Sequence, residues 1–132
     1  MRHPKALEWE ERLDRIFDRI DKSLEEEFGD AYSLHPVRAR RKPTGNPEHD
    51  GLFRLGGVFS AGFGSEKGAG YIVRVEIVTL DDVPDDIEDH YEDFVAERLK
   101  QELPVEFPGV ELNVERDGPR YKIYGDLSLG KA

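Results

Sequence analysis

Cysteine is absent from the 132 residues. That absence excludes disulfides, thiol nucleophiles and Cys-ligated zinc together, and it suits a reducing, cytoplasmic setting. Long apolar runs are missing too. No window approaches the length of apolar sequence needed to cross a bilayer, and the opening MRHPKALEWEE turns acidic at once, unlike a secretory signal. Positive charge is in short supply: 19 Lys and Arg stand against 29 Asp and Glu, a formal charge of −10. Such a balance repels a phosphate backbone, so no nucleic-acid partner is expected, and no membrane partner either.

What the chain does contain is unevenly spread. Residues 1–34 carry 6 basic and 10 acidic side chains, and residues 81–132 carry 6 and 15. Residues 35–80, between them, carry 7 basic and only 4 acidic. This basic island coincides with the most apolar part of the sequence, Leu52–Leu80, where LFRLGGVFSAGF and YIVRVEIVTL flank a glycine-rich loop, Gly64–Gly70.

The spacing predicts a helix over residues 4–28. Ala6, Trp9, Leu13, Ile16, Phe17, Ile20, Leu24 and Phe28 fall within an arc of roughly 120°. Acid precedes base at Glu8–Arg12, Glu11–Arg15 and Asp18–Lys22, the favourable order at i,i+4. Gly29 suits a left-handed helix end. Residues 30–51 read as a long polar loop, with a short edge strand allowed around Leu34–Arg41. In the next two segments apolar side chains alternate, which predicts a β-hairpin. A second helix opens near Pro84 and is expected to close before Pro104. Its apolar residues recur every four positions from Val83 to Leu103, and its start is crowded with acids, which favours a helix N-terminus. Val110–Val114 and Tyr121–Leu127 make a second hairpin around Arg116-Asp117-Gly118-Pro119, with charged side chains outward as at a sheet edge.

These elements predict one α+β domain over residues 1–132. The architecture is a two-layer sandwich: an antiparallel sheet of four or five strands, Leu52–Leu80 at its centre, and two helices on one face. The order is α-(β)-β-β-α-β-β.

The motifs exclude more than they assign. GFGSEKGAG fails the phosphate-loop register, because Lys67 precedes Gly68 and Ala69 follows. A strand follows the loop where a dinucleotide fold needs a helix. The loop reads as a flexible hairpin connection, with backbone amides cradling an anion as the alternative. His35, His49 and His90 lack helical i,i+4 pairing, and the acids of Asp81–Asp93 lack calcium-loop spacing, so no metal or other cofactor is implied. Ser60, Ser65 and Thr44 lack the setting of a nucleophile elbow. The chain carries no family motif. Its order of elements, small size and acidic charge are similar to those of the chaperones of type III secretion effectors, a resemblance of element order alone.

Three functional readings follow. The first is a non-catalytic protein-binding or assembly module, pairing as a homodimer through an apolar set on the open sheet face: Leu52, Val58, Ile72, Val78 and Leu80. The second is a module for a small anionic ligand. Four cations in five residues, Arg38, Arg40, Arg41 and Lys42, repel one another and would join Lys67, Gly68 and Gly70 around the ligand. The third is a small hydrolase, for which no catalytic set can be assembled.

Overall fold

The computed structural model describes residues 4–36, 38, 51–62, 65 and 67–126. Its elements follow in the order α1 (Pro4–Phe28), β1 (Phe53–Ser60), β2 (Gly70–Ile77), α2 (Asp85–Glu106), β3 (Leu112–Asp117) and β4 (Arg120–Gly125). The fold is the expected α+β sandwich, with a four-stranded antiparallel sheet in the order β1-β2-β4-β3 and both helices on one face.

The core follows the periodicities. α1 buries Trp9, Leu13, Ile16, Phe17, Ile20 and Leu24, and α2 buries Tyr91, Val95, Ala96, Leu99 and Leu103. Both stripes meet Phe53, Leu55, Tyr71, Val73, Val114 and Ile123 of the sheet. Each fully buried Leu or Ile contributes about 1.5–3 kcal/mol relative to exposure. Trp9 stacks at 4.3 Å on Phe107 and at 5.6 Å on Tyr71, so one side chain ties α1 to the end of α2 and to the sheet. Across the helix pair, Arg12 reaches Glu106 at 3.3 Å and Arg19 reaches Glu102 at 2.8 Å. These pairs are partly exposed and are worth about 0–1 kcal/mol each.

Several expectations need correction. Leu52–Leu80 is not the middle of the sheet: β1 is an edge strand, and β4 lies inside, between β2 and β3. The cause is at Gly70, which pairs with Tyr124, and where any Cβ would collide with the carbonyl oxygen of Ile123. Only a glycine lets β4 close on β2 there. α2 does not stop before Pro104 but runs to Glu106 with the proline inside its last turn. A proline there forfeits one hydrogen bond, and Phe107 N–H still reaches the Leu103 carbonyl at 2.8 Å. Gly29 ends α1 without a positive φ; its need is space, since a Cβ would lie 2.5 Å from the Glu25 carbonyl oxygen. As for the fifth strand, Leu34, His35, Pro36 and Arg38 are not extended in a ladder; positions 37 and 39–41 lie outside the described residues. His35 N–H instead donates to Val78 O at 3.2 Å, beyond the end of β2.

The start of β1 is pinned from both sides. Glu25 Oε1 accepts from the amides of Leu52 (2.6 Å) and Phe53 (2.8 Å). Arg38 donates to the carbonyls of Gly51 (3.0 Å) and Phe53 (2.9 Å). Together they satisfy the backbone groups at the beginning of an edge strand.

Candidate functional site

Strand alternation sorts the sheet into two faces. Phe53, Leu55, Gly57, Tyr71, Val73, Val114 and Ile123 point to the helices, and Gly57 lies against Phe17 and Leu13. The other face carries Arg54, Gly56 and Val58 of β1, Ile72, Arg74 and Glu76 of β2, Lys122 and Tyr124 of β4, and Glu115 and Asp117 of β3, as the register fixes. Cations dominate its middle.

At the β4–β3 side this face is closed. Ser65 and Gly68 of the glycine-rich loop meet Lys122, whose side chain is 1% exposed. Lys122 Nζ donates to Ser65 Oγ (3.2 Å), to Asp117 Oδ2 (3.3 Å) and to the Gly68 carbonyl. Ser65 O–H donates to Asp117 at 2.6 Å while its oxygen also accepts from Lys67 N–H at 3.1 Å. Lys67 Nζ stands 5.3 Å above the Tyr124 ring and 4.0 Å from Glu115. The hydrogen bond from Ser65, with help from Lys122, holds the Asp117 carboxyl below its ordinary range, against the opposing effect of burial. Ser65 uses its one donor and accepts twice, and Lys122 uses its three donors. Among the described residues these bonds make a clasp: the Ser65 proton is held by the Asp117 carboxylate, which Lys122 also engages.

At the β1–β2 side the face is open. Arg54 sits across from Glu76, and Arg74 sits across from Gly56, so the two arginines are diagonal neighbours. Their Nε atoms are buried and have no hydrogen-bond partner, and neither guanidinium makes an ion pair among the described residues. Between them Gly56 leaves a gap: among the described residues nothing lies within 4 Å of the position a Cβ would take. Val58 and Ile72 face each other in register beside this gap, with Val58 47% exposed.

Paired cations elsewhere provide a contrast. Arg116 lies 3.4 Å from Glu92 and 3.5 Å from Asp93, over the ring of Tyr121 at 4.5 Å, and Arg120 lies 3.8 Å from Glu92. Burial raises the Glu92 carboxyl above its usual range, an effect these arginines only partly offset.

The residues singled out from sequence are dispersed. Arg38 is engaged with backbone carbonyls at the start of β1, while Arg40, Arg41 and Lys42 lie outside the described residues. Lys67, Gly68 and Gly70 belong to the clasp near the other end of β1, about 23 Å of extended strand away, so the described residues do not bring Arg38 to Lys67. Gly68 presents its carbonyl to Lys122, which makes it an acceptor in the clasp. The apolar set also divides. Leu52 is 0% exposed in the core, since the positive φ of Gly51 precedes it and the strand begins only at Phe53. Val78 and Leu80 lie beyond Ile77, with Leu80 74% exposed in the connection to α2. Only Val58 and Ile72 share the open face, and its centre is polar.

Arg54, Arg74, Lys122 and Asp117, which the structure makes the candidates on this face, were not singled out by sequence reasoning. The alternation already put both arginines on the outer face, next to a glycine pair, and that was the available signal. A groove of about 640 Å³ lies at the end of α1, lined by Glu25, Asp30, Tyr32, Ser33, Gly51 and Asp81 among others. Glu25 is committed there to the β1 amides. Among the described residues no group of three His, Asp or Glu is placed to hold a metal, and no helix is long and apolar enough to cross a membrane.

A family model described as an uncharacterised protein matches residues 4–125. A protein of Borreliella burgdorferi, also described as uncharacterised, is 38% identical over 121 residues, covering 92% of this chain and 94% of that protein. No solved structure matches. The matched span runs from the first residue of α1 to the last of β4, and the chain therefore belongs to this family of uncharacterised proteins.

Proposed function

We propose that the chain is a non-catalytic binding module, one domain over its whole length, that takes an acidic segment of a protein partner on the open face of β1 and β2. The observation that supports this reading is the pair of buried arginine Nε donors with no hydrogen-bond partner among the described residues, beside the exposed Val58 and the half-buried Ile72 on one stretch of sheet. With 29 acidic side chains in the chain, none of the described ones neutralises Arg54 or Arg74. Carboxylates supplied from outside meet that need. Val58 and Ile72 add the apolar contact that screened surface charge pairs lack. The absence of cysteine suits a cytoplasmic site of action.

Selection from a random peptide display library on the purified protein tests the reading. Enriched peptides should pair acidic with apolar residues and lose binding to the Arg54→Gln/Arg74→Gln variant. Enrichment indifferent to that variant would overturn it. Self-pairing across the same face is a second reading, favoured by the Val58–Ile72 pair. Light scattering at micromolar concentration should then report a dimer that Val58→Glu dissociates, and a monomer at all concentrations removes that second reading.

A further inference from the structure

We infer that Arg54, Gly56 and Arg74 form an oxyanion site, a notch in the open sheet face where two guanidinium groups hold one phosphate or carboxylate group. Three independent features converge on it. The first is the pair of empty donors. A guanidinium presents Nε–H and one Nη–H as a side-on fork matched to two oxygens of a carboxylate or phosphate. On both arginines the Nε of that fork is shielded from solvent and lacks a partner. Buried polar groups in folded proteins are overwhelmingly satisfied, so two orphaned donors of one charge on one face point to a missing acceptor.

The second feature is placement. Arg54 pairs with Glu76 and Gly56 with Arg74, which makes the arginines diagonal neighbours whose backbones are about 7–8 Å apart in such a ladder. Long side chains at that separation can converge on one group. Without an anion they repel, and Glu76, the acid on the same face, forms no ion pair with either among the described residues. The third feature is room. Gly56 is the residue between Arg54 and Val58 on this face, and its missing side chain leaves the space directly opposite Arg74. The contrast with Gly70, where a Cβ would strike the Ile123 carbonyl, is instructive: Gly70 is required by close packing, whereas the described residues give Gly56 no such reason to be glycine.

The inference rests on the open face being the binding surface but not on the partner being a protein, so the two can fail separately. Its test uses the purified full chain and two probes, inorganic phosphate and citrate, by titration calorimetry at low ionic strength. Saturable binding of one or both is expected, and which probe binds separates the phosphate source from the carboxylate source. Arg54→Gln and Arg74→Gln should each weaken binding about ten- to hundredfold, the worth of a charge-assisted hydrogen bond. Gly56→Leu should abolish it by filling the notch, with melting temperature and circular dichroism unchanged. Arg120→Gln, which removes a paired cation, should leave affinity within twofold. The inference is overturned if neither probe binds, if Gly56→Leu binds as the wild type does, or if Arg120→Gln weakens binding as much as the notch variants. Phosphate binding together with failure of the peptide selection would keep the notch and remove the protein partner.

Discussion

The outer face of the sheet has two halves built from similar charges and finished differently. On the β4–β3 half, the cation Lys122 is covered by a loop and given a hydroxyl, a carboxylate and a carbonyl. On the β1–β2 half, the buried Nε donors of Arg54 and Arg74 have neither a hydrogen-bond acceptor nor a counter-charge among the described residues. The glycines repeat the contrast, Gly70 in contact with β4 and Gly56 under empty space. A cation whose partners come from its own chain serves the fold. One whose donors lack a partner among the described residues is, on the reading proposed above, kept for a ligand.

That contrast can be broken most severely at Lys122. Lys122→Ala should cost about 2 kcal/mol in chemical denaturation; the loss of a buried pair is usually larger, but Asp117 keeps access to water and can rehydrate. Lys122→Met, which keeps the apolar stem, should cost less. Next come the glycines. Gly70→Ala forces β4 away from β2 and should cost about 1–3 kcal/mol, whereas Gly56→Ala should stay within about 0.5 kcal/mol of the wild type. Equal losses at the two positions would erase the distinction between the halves.

A smaller effect depends on pH. The native Asp117 carboxyl titrates below its unfolded value, so its contribution is complete above the ordinary aspartate pKa of ~3.9 and is lost as pH falls through the lower native value. The melting-temperature gap between wild type and Asp117→Asn should therefore be constant from pH 7 to about 5 and shrink below pH 4. A gap that widens on acidification would show that the clasp does not stabilise the ionised form. The smallest effect is expected at the open half. Arg54→Gln should change stability by less than about 0.5 kcal/mol, since it breaks no pair.

Much of this was legible in the chain. Period 3.6 found both helices, and period 2 placed Arg54, Arg74 and Glu76 on the outer face. Partnership was not legible. Whether a surface arginine has a counter-ion depends on the direction taken by residues far away in sequence, as Lys122 shows by meeting Ser65 and Gly68 across more than 50 positions. Lys122 read as an outward charge on an edge hairpin, and it is outward; the loop that covers it read as a free connection. Leu52 failed for a different reason. Alternation holds only within the strand, and Leu52 stands one residue before its start, just after the positive φ of Gly51; a single such step reverses the face.

The difference between the halves can be measured at the atoms that define it, by following arginine Nε–H resonances in ¹⁵N-labelled protein as inorganic phosphate is added. The Nε–H signals of Arg54 and Arg74 should shift and saturate together. Those of Arg12 and Arg19, already bonded to Glu106 and Glu102, should hold still. If all four drift alike, or the first two do not move, the open half has no site and the comparison loses its meaning.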